Sequence, residues 1–133
     1  MAVKRTPTWL RRDVVIAIHA AQIAEHGGKP GIRDTIALDT ALGRPAEFFT
    51  NKNPPLPDLA AAYTGSVMRK LPFLDGNKRM AFLCALLFLR VNGLFFNGST
   101  GESVAIMLRF AKGRASENDL AEFFRLNSAP YKA

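Results

Sequence analysis

Thiols and imidazoles are almost missing from this chain. Cys84 is the single cysteine, so no internal disulfide can form. Its setting in "MAFLCALLFL" marks it as a packing residue, since buried thiols are inert. His19 and His26 are the only histidines, and neither has the spacing of a zinc ligand. Long apolar runs are also lacking. The longest, Met80–Leu89, falls well short of the ~20 residues that cross a bilayer. "MAVKRTPTW" at the N-terminus has no apolar stretch of the signal-peptide kind. These absences predict a soluble, cytoplasmic protein with no membrane partner. No repeat, low-complexity segment or linker divides the chain, so residues 1–133 are expected to form a single domain.

Acidic residues are the other scarcity: 11 against 18 Lys and Arg, for a net charge of +7. Such a balance suits an anionic partner, whether nucleic acid, nucleotide or acidic protein; a solvated basic surface is the plainer alternative. The basic residues are scattered, and no helix interleaves them with aromatics as a nucleic-acid reader would. Specific nucleic-acid binding is therefore not expected.

Helical periodicity fills most of the chain. Leu10, Val14, Ile18 and Ala21 or Gln22 share one face of a helix over about Leu10–Glu25, stopped by "HGGKPG". Asp34 offers an N-cap for a second helix through "TIALDTALGR", with Pro45 at or just past its end. "FFTNKNPPLP" (48–57) reads as a loop because of its prolines and asparagines. A third helix is expected from Asp58 to about Lys70, before Pro72. The fourth, from about Asn77 to Asn92, is apolar on all sides between Met80 and Leu89, which marks it as the central helix of the domain. "LFFNGST" reads as a short extended piece with an Asn-Gly turn. Helices over 101–112 and 116–127 follow, the last capped by Ser116 with Asp119 three residues on. The sum is an all-α bundle of about six helices around a central apolar helix.

The chemistry concentrates in "RKLPFLDGNKRMAF" (69–82). Asn77, Lys78 and Arg79 fall in the first turn of the fourth helix. Backbone amides there lack intrahelical partners, and the helix dipole makes cations misplaced unless an anion joins them. Gly76 lets a ligand approach the backbone. Together these features compose a phosphate site. Asp75 directly before it supplies a carboxylate for Mg²⁺, which favours carboxylate and phosphate oxygens. The residues thus read as a Mg²⁺-nucleotide site, against the alternative that Asp75 merely caps the helix and the cations are solvated or ion-paired. A Walker loop is excluded by spacing.

The segment "LPFLDGNKRMAF" resembles the Fic-domain signature H-P-F-x-D/E-G-N-G-R-x-x-R. It is more similar still to the H-P-F-x-D-G-N-K-R-T-A variant of the death-on-curing (Doc) toxins. "IAEHGGKPGIRD", "LDTALGRP", "DLAAAYTGSVMRK" and "ALLFLRVNGL" are similar to the family's other segments in the same order, over about residues 14–127. The resemblance implies a compact α-helical Fic-like core. It also implies a toxin of a toxin–antitoxin module that uses ATP and Mg²⁺ to phosphorylate elongation factor Tu and stop translation. A cognate antitoxin would place a C-terminal segment in a groove beside the active site, expected near residues 48–75. Matched by position, Asp75 is the Mg²⁺-linked carboxylate, Gly76 and Asn77 belong to the phosphate site, and Arg79 is the arginine that contacts phosphates. Lys78 replaces the second glycine of the AMP-transferring motif. It would obstruct the α-phosphate seat and favour transfer of the terminal phosphoryl group. Phe82 stands where AMP-transferring members carry a second arginine. Fic-type AMP transfer is the runner-up chemistry.

The chain departs from the family at Leu71, where the motif has the histidine that takes the proton from the target hydroxyl. Leucine has no lone pair for a proton, and a missing general base costs about 10²–10⁴-fold in rate. An impaired toxin kinase, or a pseudoenzyme that binds nucleotide or antitoxin without chemistry, is expected. Met80 also departs, since the family often has threonine there.

Overall fold

A computed structural model describes residues 6–131. Six helices follow in order: α1 (Arg12–His26), α2 (Thr35–Lys52), α3 (Leu56–Lys70), α4 (Asn77–Val91), α5 (Thr100–Ala111) and α6 (Glu117–Leu126). Two short strands, β1 (Leu94–Phe96) between α4 and α5 and β2 (Ser128–Pro130) after α6, pair antiparallel with Phe96 opposite Ser128. The all-α expectation holds, with three corrections that matter for the site.

The first concerns which helix is enclosed. Every residue of α3 from Leu59 to Val67 is buried, and α2, α4 and α6 pack around it. The expected central helix, α4, buries Met80, Ala81, Cys84, Ala85, Phe88 and Leu89 but leaves Leu83, Leu86 and Leu87 half-buried. Hydropathy favoured α4 because its side chains are large and apolar. Enclosure favours α3 because Ala60, Ala61, Ala62, Gly65 and Ser66 let neighbouring backbones come close. A Cβ on Gly65 would press on Glu117 Oε1, so glycine here leaves room for that carboxylate. Glu117 is held there by Arg44 at 2.9 Å and Arg69 at 3.3 Å, which ties α2 and α3 to α6. The same enclosure takes Leu59–Val67 out of the surface on which an antitoxin groove near residues 48–75 was expected.

The second correction is Pro45. It lies inside α2, buried, and the helix runs on through Phe48 and Phe49, which were expected in a loop. A proline in a helix interior leaves the carbonyl of residue i−4 without its amide. Here that carbonyl belongs to Ala41, and Ser66 Oγ on α3 lies 2.8 Å from it. The partner helix thus brings a hydroxyl donor to this carbonyl, shared with the Ala62 and Tyr63 carbonyls of its own helix. The helix ends instead at Asn53, in the left-handed region at φ 52°, before Pro54 and Pro55. α3 then starts at Leu56 rather than Asp58, with Pro57 in the first turn, where a missing amide is harmless.

The third is the face of α1. Val15, His19 and Ile23 are buried, while Val14 is 38% exposed. Leu10 precedes the helix, so a stripe counted from it is rotated by one residue. The run "VVIAIHAAQI" is apolar on several sides, and burial of His19 decides which side faces in. Elsewhere the expected caps are present: Asp34 accepts from the Ala37 amide at 3.0 Å, and Ser116 and Asp119 form a reciprocal capping box. Asn97–Gly98 makes no hairpin. It leads into the Ser99 cap of α5, and the partner of β1 comes from the far end of the chain.

Replacing Ser66 with alanine should lower unfolding free energy by about 1–3 kcal/mol, because the Ala41 carbonyl would lose its donor in a buried setting. Urea unfolding of S66A reads this directly. Cys84 is 2% exposed, and burial pushes its thiol up to about 12. The native protein should resist a disulfide reagent at pH 8 and titrate one thiol once denatured. Rapid labelling of the folded protein would contradict the packing of α4.

Candidate functional site

Residues 71–76 connect α3 to α4, and three sets of contacts shape the turn. At its start, Leu71 ends α3 in the left-handed region, φ 47° and ψ 58°. Arg33 holds this strained point, donating from Nε to the Leu71 carbonyl and from Nη2 to the Lys70 carbonyl, each at 2.7 Å. The terminal carbonyls of α3 are thereby satisfied. In its middle, the turn docks on the segment between α1 and α2. Arg33 N–H donates to the Pro72 carbonyl at 2.7 Å, Leu74 N–H donates to the Gly31 carbonyl at 3.1 Å, and Ile32 bridges Phe73. At its end, the Asn77 carboxamide closes the turn: Oδ1 accepts from Phe73 N–H and Nδ2 donates to the Phe73 carbonyl, both at 2.9 Å.

Gly76 then takes φ 76°, and α4 begins. Met80 N–H makes the first helical bond, to the Gly76 carbonyl at 2.9 Å. The amides of Asn77, Lys78 and Arg79 are open at the helix N-terminus, as helix geometry requires. Among the described residues neither Lys78 nor Arg79 has an ion-pair partner, and both side chains are exposed. The acidic residues do not neutralise this corner. Nor does Asp75 cap the helix: Oδ1 accepts from Gly76 N–H at 3.0 Å and Oδ2 from Lys29 N–H at 3.2 Å. Of the plainer reading of this stretch, the capping aspartate and the ion-paired cations do not fit these contacts, while solvated cations do.

Asp75, Gly76, Asn77, Lys78 and Arg79 all line one cleft of about 860 Å³. Its opposite wall is α5, through Ser103, Val104, Met107 and Leu108, and its floor includes Phe82, Leu86 and Phe96. One end is cationic and rich in open amides, and the other is apolar. Leu71 is 47% exposed and is not part of the cleft wall. The structure therefore gathers the expected site residues around the start of α4, with two distinctions. The Asn77 side chain is committed to the turn, so its backbone amide faces the cleft chemistry. The Leu71 side chain lies outside the cleft lining and has no polar atom.

Two residues at this site were not singled out from the sequence. Arg33 fixes the carbonyls before the turn. His19, which no spacing in the sequence ties to the site, reaches it from α1: Nε2 lies 2.9 Å from the Asp75 carbonyl, and the ring stacks on Phe73 at 3.9 Å. The only trace of His19 in the sequence is a polar residue on the α1 face that turned out to be buried.

A donor set of one carboxylate fits Mg²⁺ only if phosphate oxygens complete the shell. Among the described residues no group of three or more His, Cys, Asp or Glu could hold a metal alone. Asp75 retains free lone pairs on both oxygens beside the open amides, so the donors present suit a metal that arrives with phosphate.

Comparison with known proteins agrees with this geometry. The Fic/DOC family model matches residues 9–89, which takes in α1 to α3, the turn and most of α4. Protein kinase doc of Escherichia phage P1 is 34% identical over 114 residues, 85% of this chain and 90% of that protein. Toxin Doc of Mycolicibacterium smegmatis is 38% identical over 86 residues, 63% of each chain. With the family model covering more than half of its length and the signature turn folded at the mouth of the cleft, the chain belongs to the Fic/DOC family.

Proposed function

We propose that this protein is a Doc-type toxin whose cleft binds Mg²⁺-ATP, and that Leu71 cripples its phosphoryl transfer to a protein hydroxyl. The observation that carries the reading is the start of α4. Open amides at Asn77, Lys78 and Arg79 and two unpaired cations face one cleft beside Asp75. A polyphosphate is the ligand that such a corner suits, since amides, dipole and cations all favour anionic oxygen. Asp75 is the residue to hold Mg²⁺, which when bound would neutralise charge on the phosphates. Lys78 and Arg79 orient the transferring group and stabilise the charge that builds on its oxygens. The names of both relatives, a kinase and a toxin, support the same assignment. Elongation factor Tu is the substrate to test first.

Fic-type AMP transfer is less well supported. Phe82 lies on the apolar floor of the cleft, where a second arginine would have been needed. Lys78 fills the position of the glycine that makes room for an α-phosphate. An antitoxin partner follows from the toxin reading. The α5 wall of Val104, Met107 and Leu108 offers a seat for an amphipathic, acidic segment beside the site, alongside the surface near residues 48–75, of which Leu59–Val67 are buried.

The Leu71 backbone is compatible with restoring the base. Histidine enters the left-handed region more readily than an aliphatic residue does, and Arg33 holds the carbonyls independently of the side chain. Leu71→His should therefore keep the fold and raise transfer from γ-labelled ATP by about 10²–10⁴-fold, with nearly unchanged nucleotide affinity. If L71H phosphorylates neither elongation factor Tu nor any protein of a cell extract, the kinase assignment fails and the binding-only reading replaces it. Lys78→Ala and Arg79→Ala should each weaken ATP binding in calorimetry by about 1.5–3 kcal/mol, the worth of a charge-assisted contact. Asn77→Ala should act on the fold as well as on binding. It leaves the Phe73 amide and carbonyl without partners, and a drop of about 1–3 kcal/mol in stability is expected by chemical unfolding.

A further inference from the structure

We propose that His19 is a positioning residue of the phosphate cradle, holding the Asp75 carbonyl so that the amides at the start of α4 stay open. The inference rests on the nucleotide-binding reading above and adds to it a residue on a different helix. His19 is 3% exposed, and the proposed chemistry does not use its ring. A carbonyl can only accept, so the 2.9 Å contact with Asp75 requires the proton on Nε2. The ring stacks on Phe73 at an interplanar angle of 10°, and a Cβ at Gly76 would come within 3.8 Å of Nε2. The imidazole therefore touches residues on both sides of Asp75.

What this contact controls follows from helix geometry. The amide of each helical residue bonds the carbonyl four residues back. For Met80 that carbonyl is Gly76, and the bond is made. For Arg79 it is Asp75, whose carbonyl is turned toward His19 instead. Were the helix to extend back by one residue, the Arg79 amide would be consumed. The Asp75 side chain would also leave the amides of Gly76 and Lys29 that it now accepts from. His19 and the left-handed Gly76 together set the helix to begin after Asp75. In this way α1 fixes both the open amides and the carboxylate that would carry the metal.

A packing role for the ring is the competing account, and two substitutions separate them. His19→Gln offers an amide N–H at similar reach but no ring. His19→Phe keeps the stack on Phe73 but has no donor. Wild type and both variants would be titrated with Mg²⁺-ATP and with pyrophosphate, and amide exchange followed at Lys29, Leu74 and Met80. H19Q should bind within about threefold of wild type. H19F should bind about three- to tenfold more weakly, with faster exchange at Lys29 and Met80, as expected for one lost hydrogen bond. Binding and protection in H19F equal to or better than in H19Q would overturn the proposal. If wild type binds neither ligand, the nucleotide reading fails, while the exchange pattern still judges His19. Should both variants fail to fold, nitrogen chemical shifts of the wild-type imidazole decide: an Nε2–H tautomer with a slowly exchanging proton is expected, and an Nδ1–H tautomer would refute the contact.

Discussion

The carboxamide of Asn77 makes the turn possible. By bonding both the amide and the carbonyl of Phe73, it lets the chain leave one helix and enter another within six residues without orphaning either group. A longer connection would cost more conformational entropy and would leave the start of α4 free to shift. The short one forces Phe73 inward, 1% exposed, and turns the residues that follow outward to the cleft. Core packing and anion site are thus two sides of a single turn. Phe73 in the core and Asp75–Arg79 at the cleft are placed together because one turn sets both.

Electrostatics is divided in the same way. Glu117 draws Arg44 and Arg69 into a partly buried cluster on the far side of α3. Arg11, Arg12 and Arg125 find acidic partners on the surface. Exposed pairs of this kind add little stability, but they do neutralise their cations. Lys78 and Arg79 are not neutralised, and they sit where a helix dipole opposes them. What sets these two apart from other cations without an ion pair is their place in the first turn of a helix, which is why the proposed function puts an anion there.

The sequence was informative wherever local chemistry decides structure. The caps at Asp34 and Ser116, the stop of α1 in "HGGKPG" and the start of α4 at Asn77 are all local, and all were legible. It misled where a distant group decides. Pro45 is tolerated only because Ser66 reaches across from another helix, and no window around Pro45 contains that information. The enclosure of α3 depends on how closely its small residues admit their neighbours, which hydropathy undervalues. His19 was missed for a related reason: its significance lies in the Asp75 carbonyl, 56 residues away in the chain. Motif residues are the ones that touch ligand, and the groups that aim them are scattered through the fold.

Leu71 separates two capacities that a site of this kind normally combines. Its side chain forms no part of the cleft wall, and its backbone is held by Arg33, so its chemistry can change without disturbing the anion corner. Under the proposed function, binding would rest on the helix start, the cations and Asp75, all on the α4 side of the turn, and proton abstraction on one side chain at the α3 end. With the two roles at opposite ends of the same turn, a change at Leu71 would leave the contacts of the α4 end in place. The unpaired cations and the left-handed Leu71 are then retained whether or not the chemistry is. That combination is stable because each element is held by its own contacts, Arg33 at one end and Asn77 and His19 at the other.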